Sequence, residues 1–438
     1  MGLQVGKTLS RVNSIQPAQN DIWFIGLFVC LWSRTILLQF FKAVLLRVPI
    51  VRYAADFVLT ALILFFLTMA LPYLLKKIKP SDICLYMLLI LLFLCHYFFY
   101  PSNRADIFDI GVPFIFIVFP YYFVGLGFNY ERMYPLLYGV SCVTIFAQFF
   151  YSVVLGETMD STTSVYVGNM TASYNLLPHV CVLFLDTDKR KPIIKITAVI
   201  LGSILIIAYG SRGPIVCLAS FVLLYIIFFK KQKRSFRYLL LVLCAALIIW
   251  FSLDYILDFL NTVSSALGLS TRIFSKISSN QFFVSSDRDI IRTTLYGYIA
   301  DKPMVGYGLC GDRVITGTYA HHLAIELWIS FGVVLGSALL LAVFLIILKG
   351  VRYSDFGREK GFILLLFCCS VIKLFLSGSF LNENLLFLLL GICVGVMRKK
   401  ACECDCFKQV FHCHNAVLYS QYIRTPFVRP KIRKGYHK

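Results

Sequence analysis

Long apolar stretches recur along most of the chain, and each is about as long as a membrane is thick. A helix needs roughly 20 apolar residues to cross a hydrocarbon core of about 30 Å, and these stretches lack the alternating pattern of barrel strands. With 59% hydrophobic and only 15% charged residues, a water-soluble fold would leave large apolar patches in water. The sequence therefore predicts an all-α polytopic membrane protein, with residues 1–438 forming a single transmembrane domain. The 12 predicted spans are 22–41, 54–75, 83–100, 110–129, 134–155, 169–186, 193–209, 213–229, 238–256, 322–348, 361–377 and 380–397.

Basic connecting segments orient these spans, because Lys and Arg in short loops are retained on the cytoplasmic side. Counting 12 spans from a cytoplasmic N-terminus places the four basic connections on one side. They are 76–79, 188–191, 230–234 and 349–360. Both termini are then cytoplasmic. Lys42, Arg47 and Arg52 would face outward, so a re-entrant or interfacial first hairpin stays open as an alternative.

The formal charge of +20 is mostly this topology signal. Residues 398–438 form a basic cytoplasmic tail, and a basic segment beside a membrane is more typical of a lipid-surface anchor than of a nucleic-acid site. Membrane lipids are therefore expected partners, and nucleic acid is not. The first apolar run starts beyond residue 20 and lacks a small-residue cleavage site, so we expect it to remain as a helix.

Most of the 15 cysteines lie within apolar runs, where Cys behaves as a small hydrophobe, so no disulfide framework is predicted. A cluster near the C-terminus has two interpretations: zinc ligands, or an accidental or acylated group beside the membrane. Its members are Cys402, Cys404, Cys406, His412, Cys413 and His414. At the functional site itself we expect no metal, since Arg288 separates the acidic pair Asp287 and Asp289 and no nucleotide-binding domain is evident; no other cofactor is expected.

One hydrophilic break interrupts the apolar pattern, at residues 257–320, and the topology places it on the outer side of the membrane as a large loop with short amphipathic helices. It gathers cations at one membrane face and ends at His321 and His322, directly before another span. The loop cations are Arg272, Lys276, Arg288, Arg292, Lys302 and Arg313. Such a loop is suited to meeting a lipid-linked phosphate.

Two arginine patterns favour anion binding. Arg288 and Arg292 are four residues apart, so a helix would present both on one face, although either could instead pair with a neighbouring aspartate. Arg212 lies at a tight turn between two apolar runs, where it either snorkels to water or holds a phosphate through its planar guanidinium. The glycines in Pro303–Gly311 would allow close backbone approach to a ligand, but a plain turn would use them too.

These motifs together resemble the bacterial O-antigen polymerase and O-antigen ligase family. The resemblance rests on Ser211–Gly213, Arg288–Leu295, Pro303–Gly308 and Ala320–Gly336. It covers the C-terminal half in motifs and the whole chain only in span count. The chain departs from the family pattern at His322, where Asn, Ser or Gln is usual. It also departs at Leu335, three residues after Gly332, where Gly, Thr or Tyr is usual; a glycine follows one place later, at Gly336.

The resemblance implies a glycosyltransferase of the membrane C type, which moves a glycan from undecaprenyl diphosphate without a nucleotide sugar or an essential metal. Arg212 and Arg288, with Arg292 beside them, would hold the diphosphate, and His321 would match the family's histidine. A histidine can deprotonate an acceptor hydroxyl near neutral pH. Because Glu326 lies four residues beyond His322, it could orient that ring instead, so the choice between the two histidines stays open.

The predicted function is polymerisation of lipid-linked repeat units for O-antigen, capsule or exopolysaccharide at the periplasmic face of the bacterial inner membrane. One alternative is a ligase that transfers finished glycan to a lipid A core or to protein. The other is a polysaccharide flippase, which would need inverted repeats and charges lining a midplane cavity. The expected partners are the undecaprenyl-diphosphate-linked glycan, membrane lipids, a flippase and a chain-length regulator.

Overall fold

The structure, a computed structural model, is helical throughout the part of the chain that it describes. The described residues are 19–44, 49–150, 170–185, 192–208, 212–229, 262, 287–354 and 357–402. Several sequence predictions fall outside them: the span 238–256, the cations Arg272 and Lys276, and the basic tail beyond residue 402.

The helices are labelled here in chain order. They are α1 (Gln19–Val44), α2 (Pro49–Lys77), α3 (Pro80–Phe99), α4 (Arg104–Pro113), α5 (Tyr121–Leu126), α6 (Tyr130–Phe150), α7 (Met170–Leu185), α8 (Pro192–Ala208), α9 (Arg212–Phe229), α10 (Asp287–Asp301), α11 (Gly311–Thr316), α12 (Leu323–Tyr353), α13 (Arg358–Leu366), α14 (Lys373–Leu376) and α15 (384–402). Two π-helical segments interrupt the α-helices: Phe114–Val118 follows α4, and Phe367–Ile372 connects α13 to α14. Short 3₁₀ turns occupy Pro101–Asn103 and Phe380–Asn382.

Five described segments are long and apolar enough to cross a membrane, and shorter apolar helices accompany them. The five are Phe57–Lys77, Pro80–Phe99, Pro101–Leu126, Tyr130–Phe150 and Leu323–Tyr353. The all-helical membrane class predicted from the sequence is thus supported. The count of 12 spans stays a prediction, because the described residues show only these five by length and composition.

Small residues let α5 and α15 pack closely. A side chain at Gly391 would collide with the backbone carbonyl of Tyr122, and one at Gly125 would come within 2.5 Å of the carbonyl oxygen of Leu388. Close backbone approach at small residues is the usual means of packing helices where lipid removes the hydrophobic drive. This contact sets α15 against the N-terminal helices and so positions the chain that precedes it.

A polar junction ties α3, α5 and α15 together at one end of the bundle. Asp82, in the first turn of α3, accepts two hydrogen bonds from the Arg398 guanidinium, at 2.7 and 2.8 Å. The hydroxyl of Tyr122 and the backbone N–H of Lys79 also donate to it, each at 2.8 Å. Asp82 is buried, and all of these donors make it a satisfied structural anchor.

Helix α12 is broken at Gly332, where φ is 78°. The chain segment before α11 packs into this break: the N–H of Val333 donates to Pro303 O at 2.6 Å, and the N–H of Tyr307 donates to Ile329 O at 2.6 Å. A side chain at Gly332 would collide with the Met304 carbonyl. The positive φ and the close approach together require glycine here.

Candidate active site

Helix α10 lies against the start of α12 through one apolar face. Leu295 and Ile299 pack on Ile325 and Ile329 in a small buried cluster. Away from this contact, Ile290 is 69% exposed and Tyr296 is 50% exposed. This pattern is that of a short amphipathic helix with apolar groups available to a membrane interface.

Two arginines of α10 reach the chain segments that flank the site. Arg288 Nη1 donates to the carbonyl oxygen of Leu376 at 3.3 Å, and Arg292 Nη2 donates to that of His321 at 3.2 Å. Arg292 Nη1 is also 3.9 Å from the carboxylate of Asp289. The Nε of Arg292 is buried and has no hydrogen-bond partner among the described residues. One strong donor is therefore left for an acceptor that these residues do not supply.

His321 is held in an unusual backbone conformation, with φ at 54°. Its ring lies 4.0 Å, centroid to centroid, from that of Tyr319. Its Nδ1 is buried without a hydrogen-bond partner among the described residues. Burial, followed by the positive charges of Arg288 and Arg292, lowers the pKa of His321 to about 4. The imidazole is consequently neutral at neutral pH and able to accept a proton.

His322 precedes α12 in extended conformation and packs its ring edge-on against Phe375, at 5.1 Å between centroids. Its Nδ1 likewise has no hydrogen-bond partner among the described residues. Burial, and then Arg292, lower the pKa of His322 as well. Both α10 arginines act on His321, whereas only Arg292 acts on His322.

The interpretation that Glu326 orients His322 is not met in the structure. The buried Glu326 carboxylate accepts hydrogen bonds from the Ser379 hydroxyl and from the backbone N–H of Phe380, the latter at 3.0 Å. It also lies 3.6 Å from Arg313 Nη1. His322 is extended and lies outside the helix, and its imidazole packs on Phe375, so the four-residue spacing does not bring the two side chains together.

Arg313 and Asp312 form the scaffold behind the histidines. Asp312 Oδ2 accepts a hydrogen bond from the N–H of Ala320 at 2.8 Å, while Oδ1 accepts one from Arg313 Nη1 at 3.0 Å. Arg313 Nη2 donates to the Ser379 hydroxyl at 2.9 Å. Burial raises the pKa of Asp312, and the positive charge of Arg313 opposes that rise. Because Ala320 directly precedes His321, this cluster fixes the backbone position from which the His321 side chain extends.

The glycines of the Pro303–Gly311 segment serve protein packing. Gly306 lies so close to α12 that an added side chain would come within 2.7 Å of the Gly332 nitrogen. Asn103 Nδ2 donates to the carbonyl oxygens of Tyr307 and Leu309, at 2.8 and 2.9 Å. Of the two interpretations that the sequence left open, the described contacts therefore favour a turn that docks on the protein.

Tyr174 connects Arg212 to the rest of the site. Arg212 is the first residue of α9, and a side chain on the adjacent Gly213 would collide with the Tyr174 hydroxyl. Arg288 lies within electrostatic reach of the same phenol, and Lys373 Nζ is 5.2 Å from its ring centroid. Tyr174 therefore lies against the first turn of α9, which Arg212 begins, and within electrostatic reach of Arg288. Ser211 lies outside the described residues.

Sequence reasoning overlooked the supporting residues, since their signals were weak. Tyr174 is one of 25 tyrosines, and Ser379 is a small residue in a turn far away in the chain. Asp312 adjoins Arg313, a pairing that the sequence displays but that is common on protein surfaces. Within the described ranges, no group of three His, Cys, Asp or Glu side chains is placed to hold a metal.

Residues 197–341 match the family described as O-antigen ligase. No curated protein matches the chain. The matched segment begins in α8 and ends in α12, so it contains Arg212, Arg288, Arg292 and both histidines. The resemblance to the O-antigen polymerase and ligase family, which is glycosyltransferase-like, is confirmed over these residues.

Proposed function

We propose that this protein is a lipid-linked glycan polymerase, which joins undecaprenyl-diphosphate-linked repeat units at the periplasmic face of a bacterial inner membrane. The observation that carries the proposal is the neutral imidazole of His321 beside two arginines that lower its pKa. A proton acceptor and phosphate-binding cations at one place are the two elements that transfer from a glycosyl diphosphate requires.

In the proposed reaction, an acceptor hydroxyl attacks the anomeric carbon of the lipid-linked sugar. The new carbon–oxygen bond forms as the bond from that carbon to the phosphate oxygen breaks, and the diphosphate leaves on its lipid with the bonding electrons. His321 takes the hydroxyl proton, while Arg288 and Arg292 stabilise the negative charge that grows on the phosphate. A single displacement inverts the anomeric carbon.

Arg212 is assigned to the same diphosphate, because the Tyr174 phenol lies against the neighbouring Gly213 and within electrostatic reach of Arg288. Arg313 is not assigned to it. That side chain is only 9% exposed and already contacts Asp312 and Glu326. The two kinds of arginine therefore have different tasks: Arg313 supports the backbone before His321, and the others meet substrate.

The second candidate is a ligase that transfers finished glycan to a lipid A core or to protein. The description of the matching family favours it, since that description is O-antigen ligase. Both activities use the same donor and the same bond changes, and they differ in the acceptor. In the polymerase, a flippase would supply the repeat units and a chain-length regulator would act on the product.

Reconstitution with purified components separates the two candidates. The full-length protein in lipid vesicles is given lipid-linked oligosaccharides extracted from the cells that encode it, with or without a lipid A core acceptor. A ladder of longer lipid-linked glycans without added acceptor supports the polymerase. Product only with the acceptor supports the ligase. Absence of both products from folded wild-type protein contradicts a glycosyltransferase, and His321→Ala serves as the inactive control.

A further inference from the structure

A cavity of about 350 Å³ is lined by Tyr174, whose hydroxyl lies against Gly213. Its wall comprises residues of α1, α5, α7 and the chain between residues 373 and 388. This volume lies at the small end of the range for small-molecule sites, roughly 300–1,000 Å³. Tyr174 is therefore shared by the candidate active site and the cavity, so one extended substrate can occupy both.

The cavity wall holds hydrogen-bond donors that the protein leaves unused. Trp32 Nε1 and Asn175 Nδ2 line the cavity, are buried, and have no hydrogen-bond partner among the described residues. Buried donors are normally paired, and leaving one unpaired costs about 1–3 kcal/mol. Two such donors at one cavity suit a ligand with acceptor oxygens.

The Arg, Lys and Glu side chains that line the cavity carry a net charge of +1: two positive charges and one negative charge. Lys373 Nζ is 2.5 Å from the carboxylate of Glu383, and these two charges offset each other. Arg34 also lines the cavity, and within the described ranges no carboxylate pairs with it. An arginine inside an apolar helix is costly without a counter-anion. A ligand with a single negative charge balances it, whereas a diphosphate would carry excess charge.

Flat aromatic rings supply much of the remaining wall, through Phe28, Trp32, Tyr121 and Tyr174. Rings combined with a few placed polar groups are typical of sites that orient a small ligand. We propose that the cavity is a subsite for a sugar that carries a carboxylate, as one residue of the glycan. The proposal rests on the proposed function, because the acidic sugar is taken to be part of the lipid-linked glycan that the protein transfers.

Binding to the purified full-length protein tests the subsite without any transfer reaction. The probes are methyl glucuronide and methyl glucoside, which differ in the carboxylate, with binding followed by saturation-transfer NMR and by tryptophan fluorescence. We expect saturable binding of the glucuronide and at least about tenfold weaker binding of the glucoside, since a charge-assisted hydrogen bond is lost. Arg34→Gln should remove that preference. The matched control is Arg352→Gln, at an exposed position in α12 that should leave it unchanged.

Trp32→Phe should abolish the fluorescence response, and Trp328→Phe, outside the cavity wall, should keep it. Equal affinity for both sugars, equal affinity for inorganic phosphate, or glucuronide binding unaffected by Arg34→Gln would each overturn the subsite. The same measurement on His321→Ala keeps the two proposals distinct. That variant should bind glucuronide normally although it does not transfer glycan. Loss of glycan transfer alone therefore does not contradict the proposed subsite, and loss of glucuronide binding alone does not contradict the proposed transferase activity.

Discussion

Two arginine–aspartate contacts in this protein differ in how completely the charges are met. Arg398 donates twice to Asp82, at 2.7 and 2.8 Å, and Tyr122 and Lys79 add further donors to that carboxylate. Arg292, in contrast, lies 3.9 Å from Asp289. Its Nε has no hydrogen-bond partner among the described residues.

The difference separates a structural charge from one available to substrate. A bidentate pair with a buried carboxylate holds helices together and has little left to offer a ligand. At the longer Arg292–Asp289 contact, the Nε of Arg292 and the Nδ1 atoms of both imidazoles have no partner among the described residues. Such buried groups lower stability unless a ligand pairs with them. The comparison therefore predicts that substitutions at the two places affect different measurements.

The largest effect is expected at His321. His321→Ala should lower the initial rate of glycan transfer by about 10²–10⁴-fold, because a general base is lost. His322→Asn should retain much of the rate, since Arg288 and Arg292 both act on the other histidine. Rates are compared at equal amounts of folded protein in vesicles. An inactive His322→Asn with an active His321→Ala would exchange the two roles.

The next effect is expected at the arginines assigned to the diphosphate. Lysine keeps the charge but loses the planar pair of donors, so Arg288→Lys and Arg212→Lys should each lower the transfer rate about 10–150-fold. Arg398→Lys is the matched control and should transfer at the wild-type rate per folded molecule. Wild-type rates in both site variants would show that neither guanidinium grips phosphate in the transition state.

At the junction the effect should appear in stability. Asp82→Asn removes the carboxylate that receives the Arg398 donors, so we expect a free energy of unfolding lower by about 2–4 kcal/mol. Thermal unfolding of the detergent-solubilised protein measures the change as a lower Tm. Asp289→Asn, at the loose contact, should leave Tm within error of wild type. An equal loss in both variants would end the distinction between the two contacts.

The smallest effect concerns pH. Since His321 has a pKa of about 4, its neutral form persists well below its ordinary pKa of 6.5. The acid limb of kcat/KM, which reports the free enzyme, should therefore lie nearer pH 4 than pH 6.5. Arg292→Gln removes one of the charges that lower this pKa, so its acid limb should move upward. A limb at pH 6.5 in wild type, unmoved by Arg292→Gln, would exclude His321 as the titrating base.

The helical membrane class could be predicted from the sequence because helices in contact with lipid require long runs of apolar residues. Helix α10 could be predicted as well, since the spacing of Arg288, Arg292 and Leu295 depends only on residues within successive helical turns. Tyr174 and Ser379 could not be predicted as parts of the site. Each reaches it only through contacts with residues far away in the chain, such as Gly213 and Arg313.

The arginine and histidine types, their order and the apolar spans between them are determined by the sequence alone, because they depend on residue chemistry and short-range periodicity. Whether an arginine meets substrate or supports the fold was decided by tertiary structure. Arg313 and Arg292 look alike in the predicted loop. Only folding brings Asp312, Glu326 and Ser379 to Arg313. Folding also leaves Arg292 beside His321, with its Nε lacking a hydrogen-bond partner among the described residues. The reason is that pairing depends on distance in space, and the partners lie up to 66 residues away in the chain.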